Sequence, residues 1–249
     1  MRLPLGAKEI EPHLPIFISA DLKEKKKIIV LFYEHTQDLG VFAHRVIGGK
    51  GGINKGSAVD FVKYIQAQGS SIGIVLANCG QLRWSRRLKK AITQNSWMAL
   101  PQKSAVEAPY IFNEEKNTIP GNRTVAEHVA YIFGNILGNA EFCDQETEIQ
   151  VVGVSEGAVQ ATVFLENPEN FHGWCGGPKP ETLDWDSPST AETKTISPTG
   201  TPDKTKEANM NGVYKSRVTA LASLGTYYLV DEIKNAAVKT WPEDVSYYL

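Results

Sequence analysis

Short runs of β-branched and aliphatic residues recur along the chain, and longer segments with helical periodicity separate them. The runs cover residues 14–19, 27–33, 72–77, 149–154 and 217–224. Several of them are apolar on both faces, which is typical of central parallel strands that are covered by helices on each side. The alternation therefore predicts an α/β fold with three layers, in which helices flank a mostly parallel central sheet.

The composition bounds the size and the chemical class of the protein. A chain of 249 residues with 42% hydrophobic residues can bury a full core, and we expect a single domain over residues 1–249. The formal net charge of −2 provides no general positive field that would attract nucleic acid or an acidic membrane. Cys79, Cys143 and Cys175 are odd in number and lack C-x-x-C spacing, so neither a disulfide framework nor a zinc site is expected.

The same features indicate a compartment. Unpaired thiols fit a reducing environment. The first residues lack the apolar core of a signal peptide, and no run of about 18 apolar residues occurs. We therefore expect an intracellular protein that makes no membrane contact and holds no metal or cofactor.

The starts of several helices can be read from the sequence. Ser57 to Asp60 resembles a capping box that opens a helix over 57–68, and Thr124 to Glu127 matches one that opens a helix over about 124–139. The second helix carries an apolar stripe that predicts packing against the core, formed by Val125, Val129, Ile132, Phe133, Ile136 and Leu137. A third helix is expected after residue 155, and a fourth over about 229–239.

Two long connections differ in character. Residues 78–122 contain Trp84, Trp97, Tyr110 and Phe112, and we expect them to carry structure of their own above the sheet. Residues 176–213 are rich in Pro, Thr, Ser and Lys with few apolar anchors, so burial cannot offset the entropy of ordering them. The second connection is predicted to be a disordered insertion in the domain.

The run at 149–154 is closed by Gly153-Val154-Ser155-Glu156-Gly157, the G-x-S-x-G pattern of a nucleophile elbow. In such an elbow a tight turn joins a strand to a helix and lifts a serine hydroxyl above the end of the sheet. Ser155 is therefore the candidate catalytic nucleophile, and the N–H of Glu156 is the candidate oxyanion donor. The alternative is that Ser155 and its glycines serve only the backbone geometry of the turn. The pattern predicts an α/β-hydrolase-like fold.

A hydrolase of this type places its acid and its histidine after the nucleophile, on loops that follow later strands. No histidine follows position 172 in a chain whose histidines are His13, His35, His44, His128 and His172. About 25 residues remain after 217–224, too few for the last strands of a full hydrolase. The usual base is therefore missing, which favours a protein that is not an enzyme.

Other histidines remain candidates for the base. His172 lies shortly after the elbow helix, and it reaches Ser155 only if its loop folds back over the strand ends. His128 lies on the buried side of its helix, so a hydrogen-bonded core histidine is the alternative. His35 follows a strand at the position of an oxyanion loop, but no glycine is adjacent and the Glu34 carboxylate would oppose an oxyanion.

A glycine-rich stretch at 48–57 resembles a phosphate-binding loop before a helix. Its order, Lys55-Gly56-Ser57, departs from the Gly-Lys-Ser/Thr ending of a Walker A motif, and no strand directly precedes it. A turn that ends in a helix cap is the favoured interpretation, and nucleotide binding is the alternative.

A basic cluster with one aromatic residue lies in the 78–122 connection. It can contact RNA or an acidic protein tail, and a solvated charged loop is the favoured alternative. Its members are Arg83, Trp84, Arg86, Arg87, Lys89 and Lys90.

A set of short motifs resembles the fungal Argonaute-binding-protein-two domain. The motifs are Gln37-Asp-Leu-Gly40, the helix start at 56–62, Val75-Leu-Ala-Asn78, the 92–97 segment, Ile119-Pro-Gly-Asn122 and the Gly-x-Ser-Glu-Gly elbow. The similarity covers about 14–175 and resumes at 216–240. Some members of the family carry an elbow serine, here Ser155, and His128 matches a Glu-His pair on the corresponding helix.

The resemblance implies an α/β-hydrolase-like fold that is used for protein interaction. Relatives occur as a small-RNA silencing subunit associated with Argonaute, and as the C-terminal module of class II histone deacetylases in heterochromatin. These settings imply Argonaute-complex, histone-deacetylase or histone partners and a location in the nucleus or the cytoplasm.

The sequence thus leaves two alternative functions, of which the first is favoured. The first is a non-catalytic scaffold that binds a silencing or chromatin partner through 78–122 or through the surface at the strand ends. The second is a serine esterase or related acyl hydrolase in which Ser155 attacks a carbonyl and His172 or His128 acts as the base.

Overall fold

The computed structural model describes residues 1–176, except for 103, 105, 107 and 109, together with 216–225 and 246–248. Its strands, in chain order, are β1 (Arg2–Leu3), β2 (Leu14–Pro15), β3 (Phe17–Ile18), β4 (Lys27–Phe32), β5 (Ile72–Leu76), β6 (Arg83–Ser85), β7 (Lys90–Ile92), β8 (Glu148–Val154), β9 (Val218–Leu224) and β10 (Ser246–Tyr248).

The helices lie mostly between the strands of the main sheet. They are α1 (His44–Ile47), α2 (Gly52–Gly56), α3 (Ala58–Gln68), α4 (Gln94–Met98), α5 (Glu114–Asn117), α6 (Val125–Tyr131), α7 (Glu156–Glu166) and α8 (Pro168–Cys175). A 3₁₀ turn covers Leu22–Glu24, and a π-helical segment, Ile132–Leu137, continues α6. None of the helices described here is both long and apolar enough to cross a bilayer.

The central sheet has six strands in the spatial order β10, β9, β8, β4, β5, β3. Every neighbouring pair is parallel except β3 and β5, which are antiparallel. Two small antiparallel sheets, β1 with β2 and β6 with β7, stand apart from it. This arrangement confirms the predicted α/β fold, and it is compatible with a three-layer, hydrolase-like architecture.

Each face of the sheet is covered by a helical layer. On one face, α6, its π-helical continuation, α7 and α8 contribute apolar side chains to the larger core cluster, which includes Val30, Phe32 and Val151. On the other face, Ala58 and Ile65 of α3 pack with strand residues such as Leu31 and Leu76. Because both faces are covered, the parallel strands can be apolar on both sides, as the sequence pattern indicated.

The first predicted strand, 14–19, is wrong as a single element. Leu14–Pro15 pairs with β1, and only Phe17–Ile18 joins the main sheet. Pro15 has no N–H to continue a ladder, and the Ile16 N–H is donated to the Met1 carbonyl instead. The other predicted runs appear as β4, β5, β8 and β9 within one residue of their expected ends, and β10 is a strand that the run pattern does not predict.

Two predicted helix starts are present with their caps. Ser57 precedes α3 and its hydroxyl accepts the N–H of Val59, while Thr124 precedes α6 and accepts the N–H of Glu127. The second helix departs from the prediction after residue 131, where the hydrogen bonds lengthen to the π type, as in Gly138 N–H to the Phe133 carbonyl at 2.8 Å. The predicted helix at 229–239 and, apart from Gly176, the predicted insertion at 176–213 lie outside the described residues.

Candidate functional site

The G-x-S-x-G motif forms a sharp turn between β8 and α7. Ser155 has φ 52° and ψ −125°, a conformation that L-residues rarely adopt. A Cβ on Gly153 would lie 2.4 Å from the Ala158 Cα, and one on Gly157 would lie 2.5 Å from the Phe32 carbonyl carbon. Both contacts are too short for any side chain, so the two glycines allow α7 to pack directly against the sheet.

The elbow lies at a place where α/β sheets commonly bind ligands. In the sheet, β5 lies on one side of β4 and β8 lies on the other side. The chain leaves β4 towards α3 on one face of the sheet and leaves β8 towards α7 on the other face, and a switch point of this kind is where α/β sheets commonly bind ligands. Ser155 is half-buried at this point, and its N–H is donated to the Leu224 carbonyl at the end of β9.

An acidic side chain directly follows the elbow serine, and a buried thiol lies near that side chain. Glu156 opens α7, and its carboxylate accepts a hydrogen bond from Gln160 at 2.7 Å. Burial raises the pKa of the Cys79 thiol to about 12, and the nearby carboxylates of Glu156 and Glu34 act in the same direction. The thiol is therefore protonated and not a nucleophile. The Glu156 carboxylate, which directly follows Ser155 in the chain, disfavours the negative charge that an acyl-transfer intermediate would develop at the turn.

His128 is fully buried and both of its ring nitrogens are hydrogen-bonded. Its Nε2 accepts the backbone N–H of Asn78 at 3.0 Å, so the proton lies on Nδ1 and is donated to the Asn122 Oδ1 at 2.6 Å. Burial lowers the pKa of His128 to about 3. In this arrangement the ring is neutral at physiological pH, and it has no lone pair left to accept a proton from Ser155.

His172 lies near the amino ends of the parallel strands, whereas the elbow lies at their carboxyl ends. Helix α7 leads away from Ser155 for 11 residues, which corresponds to about 16 Å. Helix α8, which carries His172, then ends beside the start of β9, where the Arg217 N–H is donated to the Trp174 carbonyl at 2.9 Å. Since β8 and β9 are parallel neighbours, the start of β9 and the end of β8 lie at opposite ends of the strands.

The remaining histidines have other neighbours. His35 Nδ1 lies 2.9 Å from the Glu34 carboxylate, His44 Nε2 lies 3.6 Å from the Asp38 carboxylate, and the His13 ring packs against Trp84. In the part of the chain that the structure describes, no hydrogen bond joins an imidazole to the Ser155 hydroxyl. The structure thus places Ser155 and Glu156 together and leaves His128 and His172 elsewhere.

A polar network occupies the carboxyl edge of the sheet, and Asn78 is at its centre. Asn78 follows β5 and is completely buried. Besides its bond to His128, it donates its side-chain amide to the Pro15 carbonyl at 2.9 Å and to Gln81 Oε1 at 3.0 Å. Its Oδ1 accepts the Gln81 N–H at 3.1 Å. Asn78 therefore ties the loop after β5 to α6 and to the end of β2.

The network continues into the loop after β4. Gln81 donates to the Asp38 carboxylate at 2.8 Å, and Tyr33 donates its hydroxyl to the Asp38 carbonyl. The Tyr33 oxygen in turn accepts the Gly40 N–H at 2.8 Å, and burial raises the pKa of this phenol. Buried polar groups that are satisfied in this way fix the backbone around them.

A cleft of about 450 Å³ opens beside this network. Its walls come from His35, from Cys79 and Gly80 after β5, and from the start of α6. Arg123 and Glu127 in its wall form an ion pair that is bidentate from the Arg123 side chain. Charges of both signs line the cleft, so its electrostatics do not select an anionic or a cationic ligand.

The basic cluster occupies the β6–β7 hairpin. Trp84 is only 2% exposed, so it is part of the core and not of a binding face. Arg83 lies over the Phe112 ring at 4.6 Å, and Arg87 lies over the Tyr110 ring at 5.7 Å. The side chains of Arg86, Lys89 and Lys90 are exposed to solvent, and none of them lies over an aromatic ring of the described residues.

The glycine-rich stretch at 48–57 begins at the C-cap of α1, forms the short helix α2 and ends at Ser57, the cap of α3. Among the described residues, no three His, Cys, Asp or Glu side chains lie together so that they could share a metal ion. All three cysteines are buried as free thiols.

A family model, the Arb2 domain, matches residues 1–176 of the chain. The chain belongs to the Arb2 domain family. The match confirms the Argonaute-binding-protein-two resemblance that the sequence motifs predicted, and most of those motifs contribute to the elbow or to the network around Asn78. A comparison of this Arb2 domain with curated proteins finds no match.

Several members of the network were not predicted to interact. The family motifs include Asn78, Asn122 and Asp38 but not Gln81, and no motif specifies these contacts. The sequence does contain a local sign of the network, because Asn78 and Asn122 are polar residues next to apolar strand or turn segments. A side-chain amide that is buried in such a place needs hydrogen-bond partners. The pairing itself depends on loops that are distant in sequence.

Proposed function

We propose that this Arb2 domain is a protein-interaction domain whose hydrolase-like core serves as a rigid framework and not as a catalyst. The family supports a role in an Argonaute or heterochromatin context. The observation that carries the proposal is the use of His128. His128, which belongs to the Glu-His pair of the family, is buried and neutral, and both of its ring nitrogens are hydrogen-bonded. Its bonds hold Asn78 and Asn122 in place.

The elbow supports the same proposal. A working nucleophile needs a base within about 2.6–3.2 Å of its hydroxyl and donors aimed at the developing oxyanion. Among the described residues the Ser155 hydroxyl has no imidazole in that range, and the acidic Glu156 directly follows the serine. The loops fixed by the network would then present a stable surface to a partner protein. The partners fitting the family are Argonaute-complex, histone-deacetylase or histone components, in the nucleus or the cytoplasm.

An affinity purification tests the proposal. The full chain is used as bait in native extract, next to a Ser155→Ala bait, and bound proteins are identified by mass spectrometry. We expect both baits to recover the same silencing or histone-modifying subunits, because the serine hydroxyl takes no part in binding. Recovery of no such subunit by the wild-type bait would contradict the proposal.

One observation favours a second function, an acyl hydrolase with Ser155 as nucleophile. The serine is held at φ 52°, and strained backbone of this kind concentrates at active sites. A fluorophosphonate probe distinguishes the two functions. Covalent labelling of the wild type that is lost in Ser155→Ala would establish the hydrolase, whereas the scaffold predicts equal, background labelling of both proteins.

A further inference from the structure

A second, smaller cleft of about 230 Å³ lies between the β6–β7 hairpin, α4 and α5. We call it the basic cleft. Its lining includes three cations, Arg86, Arg87 and Lys116, and no carboxylate is among the described residues that line it. Lys89 and Lys90 follow on the same hairpin and are exposed. In a chain with a net charge of −2, this is a local concentration of positive charge.

Exposed apolar side chains accompany these cations. Ile111 lines the basic cleft and is 83% exposed, Met98 in α4 is 76% exposed, and Leu88 in the hairpin turn is 43% exposed. Trp97 and Leu100 supply further apolar lining. A concave surface with an apolar centre and a charged rim has the anatomy of a protein interface.

The walls of the basic cleft are fixed by local contacts. Trp97 donates its indole N–H to the Tyr110 carbonyl at 3.2 Å and meets the Phe112 ring edge to face. Thr93 caps α4 and Asn113 caps α5. A buried asparagine, Asn117, donates to the Trp84 carbonyl at 2.9 Å and joins α5 to the hairpin. A surface that is already ordered loses little entropy when it binds.

We propose that the basic cleft binds an acidic peptide segment of a partner protein, with one bulky apolar side chain of that segment inserted between Trp97, Leu100 and Ile111. This inference rests on the proposed protein-interaction function and specifies the chemistry of the partner. The carboxylates of the segment pair with Arg86 and Lys116 at the rim, and the apolar side chain covers Ile111.

The aromatic residues favour a peptide over single-stranded RNA. RNA recognition of this kind requires aromatic faces on which bases can stack. Trp84 is buried, Tyr110 has the Arg87 guanidinium over its ring, and Trp97 is engaged with Phe112. The exposed groups are aliphatic, and aliphatic side chains contribute affinity through burial against another apolar side chain.

Fluorescence anisotropy with defined probes tests the inference. The first probe is a fluorescein-labelled peptide of sequence Asp-Glu-Asp-Phe-Glu-Asp-Leu-Glu, and the second has serine in place of its phenylalanine and leucine. The third is a labelled oligouridylate with the same number of negative charges. The full chain is expected to bind the first probe about tenfold more tightly than either of the others.

The variants locate the site. Arg86→Glu combined with Lys116→Glu is expected to weaken the first probe about tenfold, and Ile111→Ser should lower the affinity for the first probe but not for the second. The matched control, Lys23→Glu with Lys26→Glu, reverses two exposed charges elsewhere and should leave binding unchanged. Circular dichroism and thermal unfolding verify that each variant is folded. If the double variant does not fold, the effect of Ile111→Ser on the affinity for the first probe decides whether the basic cleft is the binding site.

Three outcomes would overturn the inference: no binding of the first probe by the wild type, equal binding by the wild type and the variants, or tighter binding of the oligouridylate. Failure of the proposed function is a separate result. Fluorophosphonate labelling of Ser155 would remove the non-catalytic assignment, but it would not change the dependence of peptide affinity on Arg86, Lys116 and Ile111.

Discussion

Replacement of His128 by glutamine should remove a specific dependence of stability on pH. In the folded chain burial lowers the pKa of His128 to about 3, compared with an ordinary value of 6.5. When the pH falls below about 6.5, the unfolded chain binds a proton that the folded chain does not bind. Protonation therefore favours the unfolded state, and the free energy of unfolding decreases as the pH is lowered from 6.5 towards 3.

The size of the effect follows from this difference. Between the two pKa values one extra proton is bound on unfolding, so the free energy of unfolding changes by about 1.4 kcal/mol per pH unit. From pH 7.5 to pH 5 the loss is about 2 kcal/mol. Hydrogen bonds and ion pairs lower the pKa of the Asp21, Glu127 and Glu148 carboxyl groups, and these three groups are present in both proteins.

Urea unfolding followed by tryptophan fluorescence, at half-unit steps from pH 7.5 to 5, measures the dependence. At pH 7.5 the His128→Gln variant should be less stable by about 1–3 kcal/mol, because a glutamine amide cannot satisfy Asn78 and Asn122 with the same geometry. That difference should shrink towards pH 5, because only the wild type loses the histidine contribution. Parallel curves for the two proteins would refute the assignment of a buried, neutral His128.

Three further predictions concern the elbow and the helices and can be read from the same unfolding assay. Gly157→Ala should cost about 3 kcal/mol or more, since its Cβ would lie 2.5 Å from the Phe32 backbone; the matched Gly134→Ala, where a Cβ meets nothing within 4 Å, should stabilise by about 0.5–1 kcal/mol. Ser155→Gly should stabilise by about 1 kcal/mol by relieving φ 52°, and equal stability would argue against strain. Thr124→Ala should cost about 1 kcal/mol through loss of the α6 cap, and an unchanged midpoint would contradict that role.

The features that are local in sequence were predictable. The elbow requires only a strand-like run, two glycines and a helix start, and all of these lie within 149–166. Ser57 and Thr124 cap their helices because a capping hydroxyl needs partners only two or three residues ahead. The Glu127 carboxylate shows the limit of such reasoning. It reaches the Arg123 N–H at 3.0 Å instead of the cap residue that a capping box implies.

The features that depend on distant contacts were not predictable. Asn78 bonds to His128, 50 residues later, and to Pro15, 63 residues earlier, and no local pattern specifies either pairing. The π-helical end of α6 and the division of 14–19 between two sheets are likewise set by tertiary packing. For His128 the sequence left two roles open, base or core residue, because helical periodicity gives the direction of a side chain and not its partners.

The family match ends at residue 176, but the sheet continues beyond it. Val151 and Val152 in β8 have their neighbours Leu221 and Ala222 in β9. A recombinant fragment that stopped at the boundary of the match would leave one side of β8 without its ladder, and an open strand edge of this kind recruits other chains. β9 is covered in turn by β10, so expression boundaries and fusion junctions for this protein belong after β10, and we expect a fragment that ends at the match to aggregate.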